Sequence, residues 1–435
     1  MSALCIGGDW PLFASQAEAD ALGADAASHT HTHDGVVYHM PNGFPGAQHG
    51  PDAECPAHAT RLSPSSPPPS PSTSPHTSGA MPNITLHKGR LLVDGVDTYL
   101  WGVNWQPHVL GLKGYQISNA RAAQEAAEDA PSIASAGFNV VKTYNLWNVS
   151  VIDAMHAHGV YTVTGPVNAN DFPENGDDYA SLRATVRAFK GAPGLLMWAI
   201  GNEWIYNGLY SGLDLQGSAA VLTEWCRVIK EEDPTRPVVT VYGDFAPVNF
   251  PALESCLDGW GYNMYRAEFD GNGNYDGTSA FRNTLHTDDP EGAEKFRFVG
   301  EYGIDAWNAH TSTEVGDQQA DAIENMMREL FWSRGWRGGF VFEWQDEWSK
   351  AGDVNTGVGM TTQDAGGWTP GDSGCGTCLY SEDWWGMVRA DHTPRAAVAR
   401  YAQTKSDLLA TPSPPSPPPA LGECCSVCAS DGGVA

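Results

Sequence analysis

Between residues 81 and 410, apolar runs of strand length alternate with amphipathic stretches of helical period. The runs are Tyr99–Trp105, Phe138–Tyr144, Val160–Pro166, Leu195–Glu203, Pro237–Gly243, Leu257–Tyr265, Phe296–Gly303 and Gly339–Trp348. Most are rich in β-branched or aromatic residues with no polar alternation, the pattern of strands buried on both faces of a parallel sheet. Between them, Ala320, Ile323, Met327, Leu330 and Phe331 fall on one helical face, and Lys230-Glu-Glu-Asp-Pro234 closes another helix. The spacing predicts eight strands, each followed by a helix, closing an α/β fold of the (β/α)8 TIM-barrel type. Residues Ile84 to Tyr99 read as a hairpin around Asp94-Gly95, placed to cover the bottom of the barrel.

Two Pro/Ser-rich stretches, Ser63–Pro75 and Thr411–Pro419, bracket this block. They cannot build a core and act as semi-rigid polyproline II spacers. The chain therefore divides into a small His-containing accessory module (1–62), a linker (63–80), the barrel (81–410), a second linker (411–420) and a Cys-rich tail (421–435). The spacers resemble the stalks of hydroxyproline-rich wall glycoproteins of plants and green algae. That resemblance implies an extracellular or cell-wall location. In the first module, His29, His31 and His33 would share one face of a strand. A metal site there and a plain polar strand face are both open, and the polar face is preferred.

Composition narrows the partners. With 24 Lys+Arg against 52 Asp+Glu, the formal net charge is -28. Such a chain repels phosphate backbones, so no nucleic-acid partner is expected. No apolar run approaches the roughly 18 residues of a membrane-spanning helix, and the start lacks the regions of a signal peptide. The 16 Trp suit the flat platforms of a carbohydrate site as well as a core. The nine Cys, among them Cys5, Cys55, Cys375, Cys378, Cys424, Cys425 and Cys428, read as disulfide partners of an extracellular protein. The tail stops where a Cys-rich module would begin, so the sequence reads as part of a longer multidomain protein.

In a barrel of this type the site lies at the C-terminal ends of the strands. Glu203 ends the fourth run in Trp198-Ala-Ile-Gly-Asn-Glu-Trp204, and Glu301 ends the seventh in Phe298-Val-Gly-Glu-Tyr-Gly303. A carboxylate directly after an apolar run is costly unless it has a role. Two such groups facing one cleft about 5–5.5 Å apart are what retaining glycoside cleavage needs: one protonated, one ionised. Apolar surroundings and the neighbouring charge should raise the pKa of Glu203.

These motifs, with Gly338-Gly-Phe-Val-Phe-Glu-Trp-Gln-Asp-Glu347, Asp233-Pro-Thr-Arg-Pro237 and Ser381-Glu-Asp-Trp-Trp-Gly386, resemble the signatures of glycoside hydrolase clan A, which contains family 2. The fungal β-1,3-glucanosyltransferases are also similar, through Asn-Glu, Glu-Tyr-Gly and Gly261-Tyr-Asn-Met-Tyr265. The resemblance covers the barrel block and neither flank. It implies Glu203 as acid/base and Glu301 as nucleophile. It places Asn202 on the sugar 2-hydroxyl, Tyr265 on the nucleophile carboxylate, and Trp344 as the aromatic floor under the cleaved sugar. A hydrogen bond from Tyr265 would keep Glu301 ionised. Where the family carries Arg on the second strand, this chain has Lys142, a cation without the planar fork. No β-sandwich fits between residues 81 and 98, which argues against a classical β-galactosidase or β-glucuronidase.

Trp384 and Trp385 follow strand eight, where stacking on sugar rings and packing against the barrel rim are both open, and His108 follows the first strand, as a group reaching the cleft or, preferred, an ordinary surface His. Asp270-Gly-Asn-Gly-Asn-Tyr-Asp276 begins like a calcium loop but lacks its sixth-position Gly and twelfth-position Glu, and is read as a turn. Asn83-Ile-Thr85 and Asn148-Val-Ser150 are N-glycosylation sequons. The expected function is retaining hydrolysis of a β-linked oligo- or polysaccharide, without cofactor or metal. Transglycosylation of a wall β-glucan by the same residues is the alternative of like chemistry. A catalytically silent carbohydrate-binding wall protein is the alternative of another class.

Overall fold

The computed structural model describes residues 28–33 and 36–41, and 80–411 apart from 111, 113, 175, 244–249, 266–267, 270–274, 277, 288–294, 309–310, 334, 349, 351–366 and 369–379. Ser63–Pro75, residues 412–419, residues 270–274 of the candidate calcium loop and the seven Cys named above lie outside the described residues; Tyr275–Asp276 pair with Glu268–Phe269 as a short antiparallel ribbon. Ser28–His33 and Val36–Pro41 pair as an antiparallel hairpin. The side chains of His29, His31 and His33 are outside the description.

The barrel block is a closed, all-parallel sheet of eight strands. They are β1 (Leu100–Asn104), β2 (Val140–Lys142), β3 (Tyr161–Thr164), β4 (Leu195–Asn202), β5 (Val238–Tyr242), β6 (Gly259–Asn263), β7 (Phe296–Tyr302) and β8 (Gly338–Val341). Each neighbours the next in sequence, and β8 closes on β1 through Gly338–Val341 against Leu100–Val103. Besides a single turn at Trp204–Asn207, the helices among the described residues are α1 (Asn119–Ser135), α2 (Val149–His156), α3 (Ala180–Phe189), α4 (Leu215–Glu232), α5 (Pro251–Cys256), α6 (Thr278–Thr287), α7 (Gly316–Trp332) and α8 (Ala396–Ala410). One follows each strand. All eight runs of the sequence become barrel strands, because continuous apolar stretches of this length are stable only when covered on both faces.

Two apolar layers form. Trp101, Val103, Val141, Trp198, Ile200 and Val299 point outwards and pack with the helices. Leu100, Val140, Val163, Met197, Val239, Phe298 and Phe340 fill the interior. The interior is narrow, so large rings face glycines: a Cβ on Gly102 would run into Phe340, and one on Gly261 into Phe298. Below this layer, Ile84, Leu91 and Val93 of the sheet Ile84–His87, Arg90–Val93 and Val96–Asp97 join the same cluster. The hairpin does cover the bottom of the barrel.

A disulfide joins Cys226 of α4 to Cys256 of α5. Neither residue figured in the reading of the cysteines, since both sit within helical segments rather than in the Cys-rich flanks.

Strand β8 ends earlier than its sequence run. The chain leaves the sheet at Phe342, and the next residues bond to the segment before α8. Arg395 and Asp346, both fully buried, form a fork-to-fork pair at 2.7 and 2.7 Å. Asp346 also accepts the Gly386 N–H, and Arg395 donates to the Gly386 carbonyl. Removing one member leaves a buried charge without its partner. Asp346→Ala should therefore lose about 3–5 kcal/mol of stability in urea unfolding at neutral pH. A loss under about 1 kcal/mol would mean that Glu314, which also contacts Arg395, carries the charge alone.

Candidate active site

Each candidate carboxylate follows a glycine that disrupts its strand. Along β4 the pairing with β5 runs Thr240↔Ile200 and then Val241↔Asn202, so Gly201 is the extra residue of a bulge. Its φ is +69°, a left-handed value that glycine adopts without strain. Along β7 the pairing with β6 runs Tyr262↔Val299 and then Asn263↔Glu301, so Gly300 is the extra residue. A Cβ there would meet Asn263 and Val241. The amide of Asn104 bonds the Gly300 carbonyl at 3.2 Å. Such bulges re-aim the side chains that follow. Glu203 itself has φ 49°, a strained value for a non-glycine residue and one that clusters at functional sites.

Three donors converge on Glu301, which is buried. The Tyr265 hydroxyl donates to Oε2 at 2.5 Å and the Tyr144 hydroxyl to Oε1 at 2.6 Å. Lys142 Nζ lies 3.3 Å from Oε1 and 3.4 Å from the Asn202 Oδ1. Burial, followed by the charge of Glu301, pushes both phenols well above their ordinary pKa, so they remain donors. Burial pulls the Lys142 ammonium below its usual value, against the opposing pull of Glu301. Lys142 also sits 3.9 Å from the centre of the Tyr144 ring. The missing Arg fork is thus answered by a lysine and a tyrosine acting together.

Glu203 has a different environment. Asn263 Nδ2 donates to its Oε1 at 3.0 Å. Burial first, and the charge of Glu301 second, push its carboxyl up to about 6, while Asn263, Lys142 and Lys350 pull the other way. One carboxyl is surrounded by donors and the other is biased towards its protonated form.

The remaining residues divide. Asn202, at the end of β4, and Tyr265, just after β6, join the two Glu. Trp385 is buried with its ring 5.1 Å from Tyr265 and 5.6 Å from Phe342. Trp384 instead packs against Trp307 at 4.6 Å and under Arg395. Trp344 is not a cleft floor. It is buried in the main core with its ring 6.2 Å from Phe138, because β8 ends three residues before it. The aromatic that groups with Tyr144, Tyr265 and Trp385 is Phe342. His108 is largely but not fully buried, with Nε2 3.4 Å from Glu343 and 3.8 Å from Glu347. Burial alone would lower its pKa, but the two carboxylates raise it above the ordinary value.

Tyr144, Asn263 and Phe342 were not singled out in the sequence, although all three lie in or beside quoted motifs. Tyr144 is two residues after Lys142 and Asn263 two before Tyr265, so strand alternation already put each pair on one face.

The chain is similar in fold to solved glycosidases. A β-galacturonidase of family 2 from Eisenbergiella tayi, bound to glycerol, superposes with a TM-score of 0.53 at 15% identity, covering 75% of this chain and 54% of that one. A Bifidobacterium dentium β-glucuronidase, complexed with coumarin-3-O-glucuronide, gives 0.55 at 14% identity, with 76% and 50% covered. A Bacteroides uniformis β-glucuronidase gives 0.53 at 16%, with 74% and 37% covered. The chain thus spans about half or less of the length of these structures. No curated protein matches it in sequence. The family model for the TIM-barrel domain of glycosyl hydrolases family 2 matches residues 134–408, from the end of α1 almost to the end of α8. With strand-end carboxylates on β4 and β7 of a closed eight-stranded barrel, the chain belongs to glycosyl hydrolases family 2.

Proposed function

We propose that the protein hydrolyses a β-linked oligo- or polysaccharide with retention of configuration. Glu301 attacks the anomeric carbon. Glu203 gives its proton to the departing oxygen and then takes one from water. The observation that carries this reading is the contrast between the two carboxyls: donors from Tyr144, Tyr265 and Lys142 surround Glu301, while Glu203 is pushed up to about 6. A carboxyl biased towards its protonated form beside a carboxylate held by hydrogen-bond donors suits an acid/base and a nucleophile. Asn202 takes the sugar 2-hydroxyl, and Phe342 with Trp385 forms the aromatic wall. Tyr206 and Tyr210, exposed on the segment just after Glu203, offer a surface to the leaving sugar.

The neighbours' names point to uronic sugars, which need a free cation in the pocket. Among the described residues, the cleft lysines are paired, Lys142 with Glu301 at 3.3 Å and Lys350 with Glu347 at 3.2 Å and Glu382 at 3.0 Å, an arrangement that favours a neutral sugar. The Cys226–Cys256 disulfide and the Pro/Ser-rich spacers support an extracellular location. The test is hydrolysis of a panel of β-1,3-glucan, β-1,4-glucan, β-mannan and a nitrophenyl β-glucuronide, followed by NMR of the first-formed anomer. The β-anomer should appear first from a neutral polymer. First appearance of the α-anomer would refute retention, and preference for the glucuronide would refute the neutral assignment.

Tyr144→Phe removes one of the donors to Glu301 and keeps the ring. Loss of a hydrogen bond to a charged group costs about 1.5–3 kcal/mol, so kcat/KM should fall on the order of 10- to 100-fold. Steady-state kinetics with an activated glycoside measures it; an unchanged value would remove Tyr144 from the site.

A further inference from the structure

We propose that His108, Glu343 and Glu347 form a binding site for a divalent cation of the zinc class, at the seam where β1 and β8 close the barrel. His108 follows β1, and the two Glu follow β8. One ligand atom from each lies within 4.8 Å of the other two. His108 Nε2 is 3.4 Å from Glu343 Oε2 and 3.8 Å from Glu347 Oε1. These separations exceed ordinary hydrogen bonds. They are close to the ~3.4 Å spacing of ligand atoms that each sit about 2.0–2.2 Å from a tetrahedral ion. The His108 side chain is 10% exposed, and its Nε2 has no hydrogen-bond partner. Glu343, almost fully buried, likewise leaves Oε1 unsatisfied. An ion pair of protonated histidine and carboxylate would explain the charges but would close these gaps to a hydrogen bond.

Lys350 borders the site, its charge acting on Glu343 and His108 as well. It engages Oε2 of Glu347, which leaves Oε1 facing His108. One imidazole with two carboxylates selects zinc-like ions over calcium and magnesium, which prefer all-oxygen shells. Three protein ligands leave a fourth position for water or a substrate hydroxyl. A cation here would tie the loop after β1 to the stretch carrying Phe342 and Lys350.

The test uses the full chain, stripped with a chelator, in a background where His29, His31 and His33 are replaced by alanine. Cobalt(II) is titrated as the spectroscopic probe, and zinc(II) then competes against a colorimetric chelator. The expected result is one ion per chain with visible d–d bands and no near-ultraviolet thiolate band, which separates this site from the cysteines. His108→Ala and the isosteric Glu347→Gln should each weaken zinc binding at least about tenfold, with unchanged circular dichroism in the second. The proposal is overturned if the background protein binds no ion with that signature, or if both variants bind as it does.

Discussion

Glu301→Ala should lose at least about 10⁴-fold in kcat towards a nitrophenyl β-glycoside, because it removes the carboxylate that forms the covalent intermediate. Tyr144 and Tyr265 are driven to high pKa by burial and stay as phenols. The good leaving group does not help, since departure of nitrophenolate still requires attack or a free oxocarbenium ion. Azide in the vacated space restores part of the rate. It enters from the face that Glu301 occupied, so the product should be the α-glycosyl azide. The decisive measurement is NMR of that product with circular dichroism as a check on folding. A variant that keeps more than a few per cent of wild-type kcat would exclude Glu301 as the nucleophile.

The architecture was legible because most strands are apolar runs rich in β-branched or aromatic residues, the pattern of strands buried on both faces of a parallel sheet. The same rule failed at the end of β8. Phe340, Phe342, Trp344 and Trp348 continue the apolar theme, so the run from Gly339 to Trp348 reads as one strand. What stops it is tertiary: Gln345 bridges to Val388, and Asp346 is captured by Arg395. Those partners lie more than forty residues away. At the site the consequence is that Phe342, and not Trp344, groups with Tyr144, Tyr265 and Trp385.

The two Glu were found because an acid after an apolar run is anomalous. Their glycines carried a second, unused signal. In Gly201-Asn-Glu203 and Gly300-Glu301 the glycine marks a bulge that turns the carboxylate into the cleft. Other features had no local signal. His108 and Glu343 are neighbours only because the barrel closes between its first and last strands. Cys226 and Cys256 face each other only through the packing of α4 against α5. Pairings of this kind are set by topology and not by spacing.

Glu203→Ala should behave differently from Glu301→Ala, and the difference tests the division of labour. With a nitrophenyl glycoside the first step needs no acid, so the covalent intermediate should form and accumulate. Its hydrolysis then fails for want of a base, and steady-state kcat should fall about 10²- to 10⁴-fold with a burst of nitrophenol. Azide needs no deprotonation and should restore turnover, now giving the β-glycosyl azide. The pH profile adds an independent check. Because Glu203 is pushed up to about 6, its acid form predominates below that pH and is lost above it. For a substrate with a poor leaving group, kcat/KM should therefore decline about tenfold per pH unit above roughly 6. With a dinitrophenyl glycoside that limb should flatten, since the proton is no longer needed. Glu203→Gln should abolish the limb for the poor leaving group and leave the dinitrophenyl profile flat. An alkaline limb that persists in Glu203→Gln would belong to another group, and β-azide arising from Glu301→Ala instead would reverse the assignment of the two carboxyls.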